Sequence, residues 1–115
     1  MAFTKQEEEQ YEAVVRKFID RRRPSPEIRS ELDIGCSIRG QSIEIHEIRP
    51  QWNKPVIKRK YPVAKTTWVQ TQKKWKIYWM RADLKWHAYD PLPEVERLEE
   101  FLEEVDRDPG GCFWG

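Results

Sequence analysis

Across residues 34–89 the apolar side chains recur at every second position in short runs, and turn-forming residues separate the runs. Successive side chains of a strand point to opposite faces, so this period specifies half-buried strands rather than helices. A chain written this way has to build an antiparallel sheet with one dry face, and it needs other elements to cover that face. In "LDIGCSIRGQSIEIHEIRP" Ile34, Cys36 and Ile38 share one face, and after a turn at residues 39–42 Ile43 and Ile45 supply the matching face of a second strand. Glu47 and Arg49 continue that inward parity. Pro50 and Pro55 then interrupt the pairing, so "QWNKPVIKRKYP" is expected to be a long, basic, exposed loop or a ragged edge.

"AKTTWVQT", "KWKIYWMR" and "LKWHAY" predict three more antiparallel strands, with turns near residues 71–74 and 82–85. On this reading Trp68, Trp75, Ile77, Trp79, Arg81, Trp86 and Ala88 lie on the core face. The opposite, open face carries Lys65, Thr67, Val69, Lys74, Lys76, Tyr78, Met80, His87 and Tyr89.

The covering elements are legible at both ends of the chain. Thr4 followed by Glu7 fits a capping box, and Tyr11, Val14, Val15 and Phe18 form the apolar stripe of a helix over residues 1–20. "RRRPSPEIRSEL" ends it, because Pro24 and Pro26 force extended or turn backbone. At the other end Val95, Leu98, Phe101, Leu102 and Val105 form the stripe of a helix over residues 93–107, stopped by Asp108, Pro109 and Gly110. The expected fold is α+β and a single domain over residues 1–115. An N-terminal helix is followed by an antiparallel meander of about five strands over residues 32–89 and a C-terminal helix, with both helices on one sheet face. The apolar tail, residues 108–115, is expected to dock back on the sheet or to insert into another subunit.

Charged residues make up 36% of the chain and apolar ones 38%, so the core must draw on six Trp, four Tyr and four Phe. Each buried aromatic removes about 150–250 Å² from water, so a few replace many aliphatics. There is neither a secretory signal nor a run approaching the ~20 apolar residues of a membrane span, which leads to the expectation of a cytoplasmic protein with no membrane association. Cys36 and Cys112 stand apart from any Cys/His cluster and are expected to be reduced thiols. The net charge of +1 conceals a segregation. Residues 49–87 hold eleven bases against one acid, Asp83, and residues 90–108 hold nine acids against Arg97 and Arg107.

That asymmetry points to an interaction surface. Stacking rings beside lysines are what single-strand nucleic-acid binders use. The candidate binding residues are therefore Lys65, Lys74, Lys76, Tyr78, His87 and Tyr89 of the open face, with Lys58, Arg59 and Lys60 of the basic segment. The expected partner is nucleic acid or another anionic molecule. The plainer alternative is a solvated face, since Lys, Thr and Tyr also suit exposed strands. A second functional reading is a protein-interaction or self-association domain, in which the basic sheet of one chain meets the acidic helix of another and "CFWG" anchors a homo-oligomer.

Glu47, Arg49 and Arg81 are expected to form a structural ion pair at the end of the core. Asp33, Glu47 and Arg49 faintly echo the Asp…Glu-x-Lys set of metal-dependent nucleases, but Arg keeps its proton at any working pH and does not serve as a proton-transfer group. His46 and His87 lack a third ligand, and no phosphate loop or nucleophile elbow occurs, so no metal, cofactor or catalytic residue is expected. "EIRPQW", "WKIYWMRADLKWHAYDPLP" and "DPGGCFWG" give the chain a further property: over nearly its whole length it resembles the small bacterial domain-of-unknown-function family 3024. The resemblance implies a cytoplasmic, single-domain bacterial protein. The family has no established activity, so no site residue carries over from it.

Overall fold

The computed structural model describes residues 2–114. The fold is α+β: α1 (Lys5–Arg22), β1 (Asp33–Arg39), β2 (Ser42–Gln51), β3 (Lys54–Val69), β4 (Lys74–Met80), β5 (Trp86–Ala88), β6 (Glu94–Val95) and α2 (Leu98–Arg107). Helix α1 begins at the expected capping box. Thr4 Oγ1 accepts from the Glu7 amide at 3.1 Å, and Glu7 Oε1 accepts from the Thr4 amide at 2.9 Å. Its buried face is Val15, Phe18 and Ile19. Past its end the Arg23 guanidinium donates two 2.8 Å hydrogen bonds to Asp33, the first residue of β1, which ties the helix end to the sheet. This bidentate guanidinium holds the Asp33 carboxyl below its usual range, despite partial burial.

The sheet order is β1-β2-β3-β4-β5, antiparallel throughout. The register pairs Cys36 with Ile45 and Ile38 with Ile43, as the alternation requires, around a turn where Gly40 takes φ +62°. Short strand β6 joins the β4 edge that β5 also uses, pairing Val95 with Trp75 and Glu94 with Lys76. The C-terminal helix therefore begins at Leu98 rather than at residue 93, because residues 94–95 are drawn into the sheet.

Both helices cover the same sheet face and share one core, in which Val15 and Phe18 of α1 and Phe101 and Val105 of α2 meet Ile43, Ile45, Trp75 and Ile77. Each such aliphatic or Phe side chain contributes about 1.5–3 kcal/mol when fully buried. Phe3, Tyr11 and Trp75 stack in a cluster with centroids 4.9–5.8 Å apart, and Trp68 abuts Trp75 at 5.2 Å. Buried Thr66 faces this core, and its hydroxyl donates to the Lys76 carbonyl at 2.8 Å.

The tail folds back on its own chain. Asp108, in the left-handed region at φ 40°, turns its carboxylate to accept from the Phe113 and Trp114 amides at 3.0 and 2.9 Å. Phe113 packs on Tyr89 at 4.8 Å, the Trp114 indole donates to the Val105 carbonyl at 2.8 Å, and the Arg22 guanidinium lies 4.1 Å over the Trp114 ring.

Two expectations fail here. The segment "QWNKPVIKRKYP" is not a loop: β2 and β3 continue through both prolines as a hairpin closed by Trp52 and Asn53, with Arg49 opposite Arg59, Pro50 opposite Lys58 and Gln51 opposite Lys54. Strand β1 stops at Asp33 opposite Ile48, and β4 reaches β3 only as far as Ala64. Beyond those points the hairpin is a two-stranded arm, where a proline lacks only a ladder donor that no third strand requires. The second failure concerns β5. Met80 pairs with Trp86 and Trp79 with His87, so the connection holds five residues, one more than the expected four-residue turn. A one-residue shift turns every side chain of a strand over. Trp86 and Ala88 therefore share the open face with Tyr78 and Met80, and His87 and Tyr89 take the core-side parity.

Candidate functional site

The open face and the arm meet at the β-bulge between Ile45 and His46, which sets the extra residue Val63 into β3 and changes its parity. On the body, one cross-strand row of the open face runs Ser37, Glu44, Lys65, Tyr78, Ala88, and the next runs Arg39, Ser42, Thr67, Lys76, Glu94. Lys65 Nζ sits 5.2 Å from the centroids of both the Tyr78 and the Trp86 rings, so one ammonium is held between two aromatic faces. At the root of the arm a hollow of about 390 Å³ is lined by Ser37, Arg39, Ser42, Glu44, His46, Lys60 and Lys65.

His46 forms the floor of that hollow and is only 3% exposed. It lies opposite Gly35, where an added Cβ would stand 3.0 Å from Nε2, so the glycine leaves the space that the imidazole occupies. Burial, and then the positive Lys60, hold the His46 pKa below the ordinary imidazole value. A neutral ring therefore lies among Arg39, Lys60 and Lys65, and Glu44 is the only acid in the lining.

The arm is the most exposed part of the described chain. Residues 54–62 are exposed throughout, and Trp52 and Val56 are each 91% exposed. Residues 49–61 carry five bases and no acid. Polar side chains brace the arm from within: Arg59 Nε donates to Gln51 Oε1 at 2.9 Å, and Gln51 Nε2 donates to Asn53 Oδ1 at 2.6 Å. Lys58 Nζ donates to the Ser30 carbonyl and fastens the arm at its root.

The candidate residues scatter under this geometry. Lys58, Arg59 and Lys60 lie together on the arm, and Lys65 and Tyr78 lie on the open face. Lys74 and Lys76 are on that face too, but their ammonium groups answer Glu96 at 3.0 Å and Glu94 at 3.3 Å. His87 is bonded to Asp83 Oδ2 at 2.8 Å, on the wrong side of the strand for a shared platform. Tyr89 is fully buried, and its hydroxyl donates to Glu104 Oε2 at 2.8 Å. Burial and then that carboxylate push the Tyr89 hydroxyl far above the ordinary phenol range. Neither residue joins the open face, because β5 is turned over.

Glu47 and Arg49 do pair, at 3.3 Å, but at the exposed root of the arm rather than in the core. Arg81 stands apart from them, 5.4 Å over the Trp79 ring. Asp33 and Glu47 sit on opposite sheet faces, since Asp33 pairs with Ile48 and Ile34 with Glu47, so the two carboxylates cannot hold one metal ion between them. Among the described residues no group of three or more His, Cys, Asp or Glu side chains is placed to bind a metal, and no helix is long and apolar enough to cross a membrane.

The sequence reading missed Gln51, Trp52, Asn53 and Lys54 as one structural unit, and it set Trp86 on the core face rather than the open one. A signal for the arm was present. Two polar amides flank a tryptophan where apolar alternation stops on one side and resumes on the other, which fits a hairpin tip.

A family model described as a domain of unknown function (DUF3024) matches residues 3–115, so the chain belongs to that family. No curated protein and no solved structure matches it.

Proposed function

Membership of a family without an assigned activity leaves the geometry to carry the reading, and we propose that the chain is a non-catalytic binding module for an anionic partner, nucleic acid. The observation that carries this is the β2–β3 arm, a projecting ribbon with five bases and no acid over residues 49–61. Lys74 and Lys76 on the sheet are answered by Glu96 and Glu94, whereas Lys54 and Lys60 on the arm have no acidic partner within ion-pair distance among the described residues. The hollow at the root adds Arg39 and Lys65 to the same side as Lys60, so the positive surface continues from arm to sheet. Such a surface attracts a polyphosphate chain by releasing its counterions.

The test is binding of labelled duplex and single-stranded DNA and RNA at about 50 and 200 mM salt, with a Lys54→Gln/Arg59→Gln/Lys60→Gln variant beside the parent. Binding that weakens steeply with salt and weakens further in the variant supports the reading. Absence of binding to every nucleic acid at low salt sinks it.

One observation favours self-association instead. Between α1 and α2 a groove of about 620 Å³ has Val14, Phe18 and Leu102 in its lining, with the acids Asp20, Glu99 and Glu103 and the bases Lys17 and Arg21 beside them. An apolar floor, with acids outnumbering bases three to two at its edges, would accept the apolar Trp52 and Val56 of a basic arm. Light scattering that returns a dimer in the parent, and a monomer after Trp52→Ser, would favour that alternative.

A further inference from the structure

The arm also bears on which nucleic acid is bound, and the step taken here rests on the nucleic-acid reading above. We infer that the partner is duplex DNA, that the arm enters its major groove as a two-stranded ribbon, and that Gln51, Asn53 and Arg59 are the groups that meet base edges.

Shape supports the groove. Paired strands lie about 4.8 Å apart, and a major groove about 12 Å wide and 8.5 Å deep admits a two-stranded ribbon. Residues 49–51 with the two-residue tip extend about 14 Å past the last pairing with β1, at roughly 3.4 Å per residue, which is longer than the groove is deep. Beyond Ile48 the arm has no third strand and residues 54–62 are exposed, with Lys58 reaching back to the Ser30 carbonyl. The pairs Arg49–Arg59, Pro50–Lys58 and Gln51–Lys54 and the bond from Lys58 to Ser30 hold the arm before binding and reduce the ordering cost of association, although a register break leaves residues 55–57 outside the ladder.

Chemistry at the tip supports base contact. Gln51, Asn53 and Arg59 are three side chains of the kinds that pair with adenine and guanine edges. Here they occupy one another, with Arg59, opposite Arg49 on the arm, reaching Gln51 and Gln51 reaching Asn53 at the tip; Arg59 and Asn53 are exposed and Gln51 is half-buried. A duplex exchanges these internal bonds for bonds to bases. Lys54 and Lys60, on the same strand as Arg59, stand where they can meet the phosphates that border the groove.

The competing single-strand platform is poorly supplied. On the sheet face Tyr78 and Trp86 are the rings available to stack, and Lys65 already lies against both; the more exposed rings, Trp52 and Tyr61, stand on the arm. Lys74 and Lys76 are answered by acids, Tyr89 is in the core, and His87 is bonded to Asp83.

Fluorescence anisotropy with the full chain decides the matter, using one sequence as duplex DNA, as single-stranded DNA and as duplex RNA, whose deep and narrow major groove excludes side chains. The expected result is duplex DNA bound at least about tenfold more tightly than either other form. Lys54→Ala should lower the slope of log K against log salt by about 1. In selection from a randomised duplex pool, the parent should enrich a short motif, and Gln51→Ala/Asn53→Ala should weaken that enrichment while retaining salt-sensitive binding. These substitutions lie at the arm's tip, and circular dichroism is the check that they leave the fold intact. Single strands or duplex RNA bound as tightly as duplex DNA would overturn this inference and leave the nucleic-acid reading standing. A parent that enriches no motif would overturn the base contacts in the same way, whereas no binding to any nucleic acid at low salt would overturn both.

Discussion

Replacing Tyr89 with Phe removes one oxygen from the deepest polar contact in the molecule. The ring volume is nearly unchanged and the packing on Phe113 at 4.8 Å is kept, so no cavity term enters. What is lost is the 2.8 Å bond to Glu104 Oε2, on a carboxylate whose residue is 9% exposed. A hydrogen bond to a charged group contributes about 1.5–3 kcal/mol, and the acceptor left behind is poorly placed to regain water. At about 2.1 cal/mol/K per residue the 115-residue chain has an unfolding entropy near 0.24 kcal/mol/K, so Tm should fall by roughly 6–12 °C. Calorimetry at pH 7 reads this directly.

The variant Tyr89→Phe/Glu104→Leu should recover part of the loss, because removing both partners is far cheaper than orphaning one. There is also an alkaline signature. The folded Tyr89 hydroxyl is held above its ordinary value, so above about pH 10 the unfolded chain loses this proton first and stability falls as pH rises. That slope should be shallower in Tyr89→Phe, with Tyr11, also raised by burial, keeping part of it. A Tyr89→Phe protein melting within about 2 °C of the parent would refute the assignment of a stabilising role to this contact.

His46 supplies an acid-side counterpart: its folded pKa is depressed, so its contribution is present above about pH 6.5 and is lost as pH falls toward the folded value. Urea midpoints at pH 7.5 and 5.5 should separate more in the parent than in His46→Phe. The double substitution Lys74→Ala/Lys76→Ala should change stability by less than about 1 kcal/mol, as solvent-screened pairs do. It should also leave duplex affinity within about threefold in a titration, because these ammonium groups already answer Glu96 and Glu94. Gly35→Ala should cost about 1–3 kcal/mol in urea unfolding, since its Cβ would press on the His46 ring at 3.0 Å and on Ile48 Cδ1 at 3.2 Å.

Local patterns were the legible part of this fold. The Thr4–Glu7 box, the Ile38–Ile43 hairpin and the α2 stripe from Leu98 to Val105 each rest on spacings within a few residues, and the structure places them as read, with Val95 alone moved from the helix into β6. The β5 parity was not legible, because it hangs on whether the connection after Met80 holds four or five residues. "RADLK" does not declare that length, and one residue decides whether Trp86 or Tyr89 is buried. The arm was hidden by treating Pro50 and Pro55 as breaks, a rule written for central strands that does not hold for a ribbon without a third strand. Strand β6 is two residues long and pairs across 18 residues of chain, beyond the reach of any local pattern. Of the candidate binding residues, those in the basic segment converge on the arm. The face residues that failed did so through the β5 inversion, at His87 and Tyr89, or through acids of the β6 region, at Lys74 and Lys76.

The claim that the arm is the contact element is tested most directly by fluorine NMR. The chain has six tryptophans, so uniform 5-fluorotryptophan labelling gives six probes spread over arm, sheet and tail, with Trp52 assigned by Trp52→Phe. On titration with duplex DNA at low salt, the Trp52 resonance should shift and broaden most, with a smaller response at Trp86 beside Lys65, while Trp75 in the core and Trp114 in the docked tail stay in place. A Trp52 resonance unmoved at saturation, with the response confined to Trp86 or Trp114, would contradict the arm as the binding element.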